Sequence, residues 1–142
     1  MERRAEQGTR NKGQRTGNEP AARRKGDDIA ERLLDAVEGV RRLLVGLEDD
    51  AAAKHVAKQL WRAVTSGGAN YEEARGAESR ADFVHKVRIA TKELREAHFW
   101  LSVVQRSSWR VPGRVDSLVN ELDQLVAILV ASARTAKVSD SS

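Results

Sequence analysis

The chain has 142 residues, no cysteine, and 25 Lys and Arg residues against 21 Asp and Glu residues. This length indicates one domain, and the lack of cysteine excludes a disulfide framework and a thiolate metal site. No apolar run approaches the roughly 18 residues that a membrane span requires, and the N-terminus lacks the apolar segment of a secretory signal. We therefore expect a cytoplasmic protein with no membrane partner.

The positive charge is concentrated at the N-terminus. Residues 1–26 contain eight Lys or Arg and three Asp or Glu, whereas residues 27–142 contain 17 and 18. With almost no large apolar residues, the first segment cannot bury enough surface to offset its ordering entropy. We predict that residues 1–26 form a disordered basic tail. The nearly neutral remainder argues against a strongly basic nucleic-acid-binding domain.

Helical periodicity begins at Asp27. Asp27 or Asp28 is the predicted N-cap of the first helix, Gly46 marks its end, and Asp49 and Asp50 can cap the next helix. Apolar residues recur at alternating steps of four and three residues, which predicts one buried face. They are Ile29, Leu33, Ala36, Val40, Leu43 and Leu47.

The second helix has an ambiguous centre. Its apolar positions continue through a pair of adjacent glycines, so the helix either runs on to about Arg75 or kinks near Gly67 and Gly68. Each glycine costs a helix about 1 kcal/mol relative to alanine. The positions are Ala53, Val56, Leu60, Val64, Gly67, Tyr71 and Ala74.

The third helix has the clearest pattern and is predicted over residues 79–106. Ser79 is a suitable N-cap, with Asp82 three residues later in a weaker form of the capping box. Its seam is Phe83, Val87, Ala90, Leu94, Ala97, Leu101 and Val104.

A loop over residues 107–113 precedes the fourth helix, predicted over about 113–136. Its seam is Val115, Leu118, Leu122, Leu125 and Leu129. Four helices with narrow seams and short connections predict an all-α fold, an antiparallel up-down-up-down four-helix bundle over residues 27–137. Residues 138–142 are predicted to be a C-terminal tail. No segment has the alternation of a strand.

Residues 59–101, QLWRAVTSGGANYEEARGAESRADFVHKVRIATKELREAHFWL, carry a family resemblance. The matching positions are Gln59, Leu60, Arg62, Ser66, Gly68, Asn70, Glu73, Ser79, Asp82, Phe83, Lys86, Ala90, Lys92, Glu93, Trp100 and Leu101. This stretch resembles the bacterial four helix bundle protein family. That family includes proteins encoded in intervening sequences of large-subunit rRNA genes, and it is related to accessory proteins of diversity-generating retroelements. The chain departs from the family at Gly67, where a branched apolar residue is usual.

The resemblance implies a homo-oligomer, since bundles of this type assemble into rings, often pentamers. Its retroelement relatives bind nucleic acid and a reverse transcriptase. By this resemblance RNA or DNA is a candidate partner, and so is a reverse transcriptase if the protein is retroelement-associated. The resemblance brings no catalytic centre.

Carboxylates are frequent around the end of the second helix, at Glu72, Glu73 and Glu78. A di-metal bundle requires inward carboxylates together with a Glu-x-x-His pair on each of two helices. The sequence contains no such pair. We therefore expect surface carboxylates in ion pairs, no metal, no cofactor and no enzymatic activity.

A basic stripe lies on the outer face of the third helix. His85, Arg88, Lys92 and Arg95 are three, four and three residues apart. The stripe is either a solvated face or a contact surface for phosphates, which would give salt-sensitive binding without sequence preference. No aromatic residue lies between the four positions, so base stacking is not predicted.

Asn70 and Glu73 lie three residues apart next to small residues of the second helix. If that helix continues, they can hydrogen-bond across helices and fix the register, as a buried asparagine does in coiled coils. The alternative is a contact with a ligand.

The ends of the third and fourth helices carry apolar residues beyond their seams. Phe99, Trp100, Val103 and Ile128 are the predicted interface residues, with Trp100 as a plausible anchor. The sequence thus predicts a non-enzymatic oligomeric scaffold or adaptor with weak, non-specific nucleic-acid binding. The alternative is a protein–protein interaction module that does not bind nucleic acid.

Overall fold

The computed structural model describes residues 22–111 and 115–139. This part of the chain contains four α-helices and no strand. Consecutive helices pack antiparallel, and the first and last also pack together, which closes the bundle. The all-α four-helix bundle is confirmed. The helices are α1 Asp27–Val45, α2 Ala51–Arg75, α3 Arg80–Arg106 and α4 Val115–Ser139.

The predicted seams form the core. The α2 seam is buried along its whole length, and the seams of the other helices are buried except at some positions near their ends. Ile29, Leu47, Phe83 and Leu118 are half-buried and pack against this core. A period close to 3.5 residues keeps one face of each helix directed at its neighbours, which explains why the core could be predicted.

Side-chain caps begin two of the helices as predicted. The amide of Ala53 donates to Oδ1 of Asp50 over 2.7 Å at the start of α2. The amide of Asp82 donates to Oγ of Ser79 over 3.1 Å at the start of α3. Each carboxylate or hydroxyl satisfies a helix-start amide that would otherwise lack a partner.

The aspartate N-cap predicted for α1 is wrong. Gly26 occupies the N-cap position with a left-handed φ of 86°, and Asp27 is the first helical residue. A Cβ atom on Gly26 would lie 2.6 Å from the hydroxyl of Tyr71. Both the φ angle and this neighbour favour glycine. Asp27 instead accepts from the amide of Arg24 over 2.5 Å and pairs with Arg75 at the end of α2.

The last helix differs from its predicted bounds. α4 begins at Val115 and continues through Ser139, where the serine Oγ donates to the Thr135 carbonyl over 3.0 Å. The predicted C-terminal tail over 138–142 therefore starts too early. Residues 140–142 lie outside the described residues, as do 112–114 and most of the predicted 1–26 tail.

The two central glycines do not kink α2, which is one continuous helix. Gly67 is buried and faces α3, where an added Cβ would lie 2.6 Å from Cδ2 and 2.9 Å from Cγ of Leu94. At Gly68 an added Cβ would find only Cγ2 of Val37, on α1, at 3.9 Å. The glycine at position 67 therefore gives Leu94 its space, whereas the glycine at position 68 lies beside open space.

The loop after α3 packs against the start of α2. Nε1 of Trp109 donates to Oδ2 of Asp50 over 2.9 Å, and the amide of Arg110 donates to Glu48 over 3.3 Å. Trp109 is half-buried against the core. The capping carboxylate of α2 thus also holds this loop. Among the described residues, no helix is both long enough and apolar enough to span a membrane.

Candidate nucleic-acid interface

The basic stripe predicted on α3 is exposed in the structure. His85, Arg88, Lys92 and Arg95 all lie on the solvent-facing side of the helix. Phe99 follows four residues after Arg95 on the same face, and its side chain is 57% exposed. The seam on the opposite face holds the stripe at a fixed position on the bundle surface.

Three of the four stripe residues line a groove between α3 and α4. Arg88, Lys92 and Arg95 form one wall, whereas His85 is not part of the lining. The groove has a volume of about 390 Å³. The other lining residues are Thr91, Val130, Ala133, Arg134 and Lys137. We call the site formed by these residues with Arg88, Lys92 and Arg95 the α3–α4 groove.

The walls of the groove are cationic and contain no carboxylate. Five of its eight lining residues are Lys or Arg. Arg88, Arg95 and Arg134 make no hydrogen bond or ion pair with any residue in the described part of the chain. The α4 segment over residues 124–139 contains no Asp or Glu. These guanidinium groups are therefore available to an external anion.

The opposite flank of α3 has the reverse arrangement. Arg62 of α2 lies 3.2 Å from Glu93 and 2.6 Å from Glu96, and Nζ of Lys86 lies 2.8 Å from Glu73. The hydrogen bond from Arg62 lowers the pKa of Glu96, and the hydrogen bond to Glu73 raises the pKa of Lys86. The charges of α3 are thus separated, with ion pairs beside α2 and two unpaired arginines, Arg88 and Arg95, beside α4.

The floor of the groove offers no free hydrogen-bond donor. Thr91 is buried, and its Oγ1 donates to the Val87 carbonyl over 2.8 Å. The remaining floor residues are Val130 and Ala133. Any polar recognition in the groove must therefore come from the Lys and Arg side chains of the walls.

Comparisons with known proteins agree with this architecture. Residues 28–131 match the model of the family described as 23S rRNA-intervening sequence protein. The chain belongs to this family. The match covers α1, α2, α3 and most of α4, and it confirms the resemblance found in residues 59–101.

A structural relative supports the same assignment. It is a protein with unknown function from the S23 ribosomal protein family of Bacteroides thetaiotaomicron VPI-5482. It is 30% identical to this chain with a TM-score of 0.66, and the match covers 74% of this chain and 97% of that one. No functionally curated protein matches in sequence. These relatives establish the fold and the family, and they assign no biochemical activity.

The intervening-sequence family resemblance includes Asn70 and Glu73, which the structure places in different environments. Nδ2 of Asn70 donates to the Ser66 carbonyl over 2.9 Å and to the Ser66 Oγ over 3.3 Å, so both bonds stay within α2. Glu73 is exposed and crosses to Lys86 of α3. Of the two, only Glu73 links neighbouring helices by a hydrogen bond.

The predicted interface residues divide into an exposed and a half-buried group. Phe99 is exposed and packs edge-to-face on Trp100, with ring centroids 5.0 Å apart and an interplanar angle of 71°. Trp100 is half-buried and makes a second edge contact with His55 at 5.7 Å. Val103 and Ile128 are half-buried, and Val103 packs against the core. Phe99 is therefore the member of this set that is most available to a partner.

Arg134 and Lys137 are groove residues that the sequence reasoning missed. The sequence contains a pattern that could have indicated them, because they lie three residues apart in a half of α4 without carboxylates.

A second groove of about 330 Å³ was also missed, and it is almost entirely apolar. It lies between α1 and α2, with Gly68 in its lining and the 69% exposed Leu34 at its edge.

The described residues provide no candidate metal centre. No group of three or more His, Asp or Glu side chains in residues 22–111 and 115–139 is arranged to hold an ion. The most specific chemical feature of the site is therefore its positive charge.

Proposed function

We propose that the protein is a non-enzymatic, self-associating four-helix scaffold or adaptor that binds nucleic acid weakly and without sequence preference. The observation that carries this proposal is the separation of charge across α3. Arg88 and Arg95 have no protein partner among the described residues, whereas Glu93 and Glu96 are paired on the other flank.

Nucleic acid is a suitable partner because its phosphates are regularly spaced anions. Each Lys or Arg that neutralises a phosphate releases a counterion, so binding depends strongly on salt and carries no base information. Unpaired guanidinium groups contribute to such binding without first breaking a protein ion pair. A row of three cations on one helix supports weak rather than tight binding.

Self-association is supported by the aromatic surface next to the stripe. Phe99 is 57% exposed and rests on Trp100. Large aromatic residues are enriched at protein interfaces and often supply most of the binding energy. The family resemblance favours a ring, with a pentamer as the expected form. A reverse transcriptase is proposed as a further partner only if the protein is retroelement-associated.

The nucleic-acid proposal is tested by electrophoretic shift at several salt concentrations. The test variant replaces Arg88, Lys92 and Arg95 with glutamine, and the matched control replaces Lys58, Arg106 and Arg110, which are exposed elsewhere. Loss of three phosphate contacts should reduce the slope of log affinity against log salt by about 2, since each contact to a single strand contributes roughly 0.7. The control should stay close to wild type. If wild-type protein retains no RNA or DNA at about 50 mM salt, the proposal fails.

Self-association is tested by light scattering coupled to size exclusion, which should give a mass several times 15.7 kDa. Phe99→Ala and Trp100→Ala should each reduce that mass. Trp109→Ala is the control, because Trp109 bonds to Asp50 within one bundle and its loss should lower stability without dissociating subunits. A monomeric wild type at micromolar concentration would contradict this part of the proposal.

The second candidate function is a protein–protein interaction module that does not bind nucleic acid. It is favoured by the nearly neutral charge of residues 27–142, which hold 17 basic and 18 acidic residues. Self-association without any nucleic-acid retention would select this candidate.

A further inference from the structure

The cations of the α3–α4 groove face each other across a cleft. In the antiparallel pair, Arg88 and Arg95 on α3 lie opposite residues 130–137 of α4. A helix rises 1.5 Å per residue, so the seven residues from Arg88 to Arg95 span about 10.5 Å along the groove. A solvated surface stripe would lack this second wall.

We propose that the α3–α4 groove binds the sugar–phosphate backbone of a single nucleic-acid strand, with the bases directed to solvent. This inference rests on the proposed nucleic-acid binding and adds where and how the strand lies. Arg88, Lys92 and Arg95 contact it from one wall, and Arg134 and Lys137 contact it from the other.

The dimensions fit an extended polyanion better than a small anion. Successive phosphates of one strand advance 3.4 Å along the axis of a duplex and lie farther apart in an extended single strand, so about 10.5 Å of groove accommodates more than one phosphate. A site for a single phosphate would concentrate its donors at one point. Here the cations are spread along two walls.

The lining favours the backbone rather than the bases. Stacking on bases requires aromatic faces, and discrimination among all four bases requires side chains that accept hydrogen bonds as well as side chains that donate them. The groove contains no aromatic residue, and its floor is formed by Thr91, Val130 and Ala133, with the Thr91 hydroxyl already bonded to Val87. Binding should therefore be independent of base identity.

The test uses the full-length protein and a fluorescent single-stranded oligonucleotide of mixed sequence, titrated between 50 and 200 mM salt. The groove variant is Arg134→Gln with Lys137→Gln. The matched control is Lys58→Gln with Arg106→Gln, which removes the same charge from exposed positions outside the groove. Circular dichroism should show that both variants keep the helical content of wild type.

We expect the groove variant to bind at least about tenfold more weakly at 50 mM salt, and its salt slope should fall by about 1.4. Between 50 and 200 mM salt, wild type should lose about sevenfold more affinity than the variant. The control should match wild type. Oligo(dT) should bind as well as the mixed sequence, and inorganic polyphosphate should compete.

A chemical footprint provides a second measurement that needs no variant. Phenylglyoxal modification, followed by peptide mass spectrometry, should show Arg88, Arg95 and Arg134 protected by the oligonucleotide. Arg106 should stay reactive. This pattern separates the groove from binding by the N-terminal basic residues.

Three outcomes would overturn the groove assignment. If the two variants lose affinity equally while wild type binds, the groove is not the site and the proposed function still stands. If wild type does not bind at all, both proposals fail. If polyglutamate displaces the oligonucleotide and protects the arginines better than polyphosphate does, the groove is a site for an acidic protein segment.

Discussion

Both flanks of α3 carry charged side chains, but the charges beside α2 form ion pairs and the arginines beside α4 do not. On the α2 side, Gly67 leaves space for the side chain of Leu94 to pack against the backbone of α2. On the same side, Arg62 forms ion pairs with Glu93 and Glu96. On the α4 side, a groove separates the outer parts of the two helices, and its arginines have no partner in the described chain.

This difference divides stability and binding between the two flanks. Close packing and paired charges stabilise the fold, whereas the unpaired arginines beside the cleft stabilise it little and remain available to a ligand. Substitutions on the α2 flank should therefore change the free energy of unfolding. Equivalent substitutions on the α4 flank should change binding and leave stability nearly intact.

The largest effect is expected from Leu94→Ala. Leu94 is fully buried, and its removal leaves a cavity opposite a glycine that cannot fill it. Leucine-to-alanine changes in cores cost about 2–5 kcal/mol. Urea unfolding should show this loss, and a value below 1 kcal/mol would mean that the α2–α3 contact is not tightly packed.

Gly67→Ala should be the next largest, with a net cost of about 1–3 kcal/mol from overpacking against Leu94. The matched control is Gly68→Ala, where there is open space and alanine should gain up to about 1 kcal/mol of helix propensity. Urea unfolding of both variants measures the difference between adjacent positions. Combining Gly67→Ala with Leu94→Ala should cost less than the sum of the two, because the new methyl group occupies part of the cavity.

Removing one cation from each flank should have a smaller effect. Arg62→Gln breaks the contacts with Glu93 and Glu96 and should lower the melting temperature measurably. Arg95→Gln breaks no hydrogen bond or ion pair within the described chain and should leave the melting temperature unchanged or slightly higher. An equal loss in both variants would contradict the division between the flanks.

The smallest expected effect is a dependence on pH that comes from carboxylates paired with arginine on the α2 flank of α3 and on α1. Arg62 lowers the pKa of Glu96, and Arg41 lowers the pKa of Glu38 on α1 to about 2. A carboxylate with a lowered pKa contributes stability fully above its ordinary value of 4.5, and that stability is lost as the pH falls further. The melting temperature should decline below about pH 4.5. Arg62→Gln should reduce this decline, whereas Arg95→Gln should not.

Most of the fold could be predicted because the repeat of apolar residues determines which face of each helix is buried. The Asp50 and Ser79 caps followed from local sequence in the same way. Gly26 did not, since its role depends on Tyr71, which is distant in sequence. At Gly67, helix propensity and seam periodicity disagreed, and packing against Leu94 decided in favour of a continuous helix.

The candidate site could be predicted only in part. The α3 stripe follows from the helical repeat, and its exposure agrees with that pattern. The second wall depends on how α4 is rotated against α3, and a single-helix pattern contains no information about that rotation. Arg134 and Lys137 were missed for this reason. Asn70 likewise bonds within its own helix, a choice that periodicity does not determine.

The contact between Asp27 and Arg75 determines where the chain enters the bundle. It holds the start of α1 beside the end of α2, which is also the end where α3 begins, and Arg88 lies only eight residues, or about 12 Å of helix rise, further along α3. Arg24 and Lys25, which precede α1, therefore lie at the same end of the bundle as Arg88. A strand held in the groove would meet these cations at a high effective concentration, so two weak sites on one chain would act as a single bivalent one.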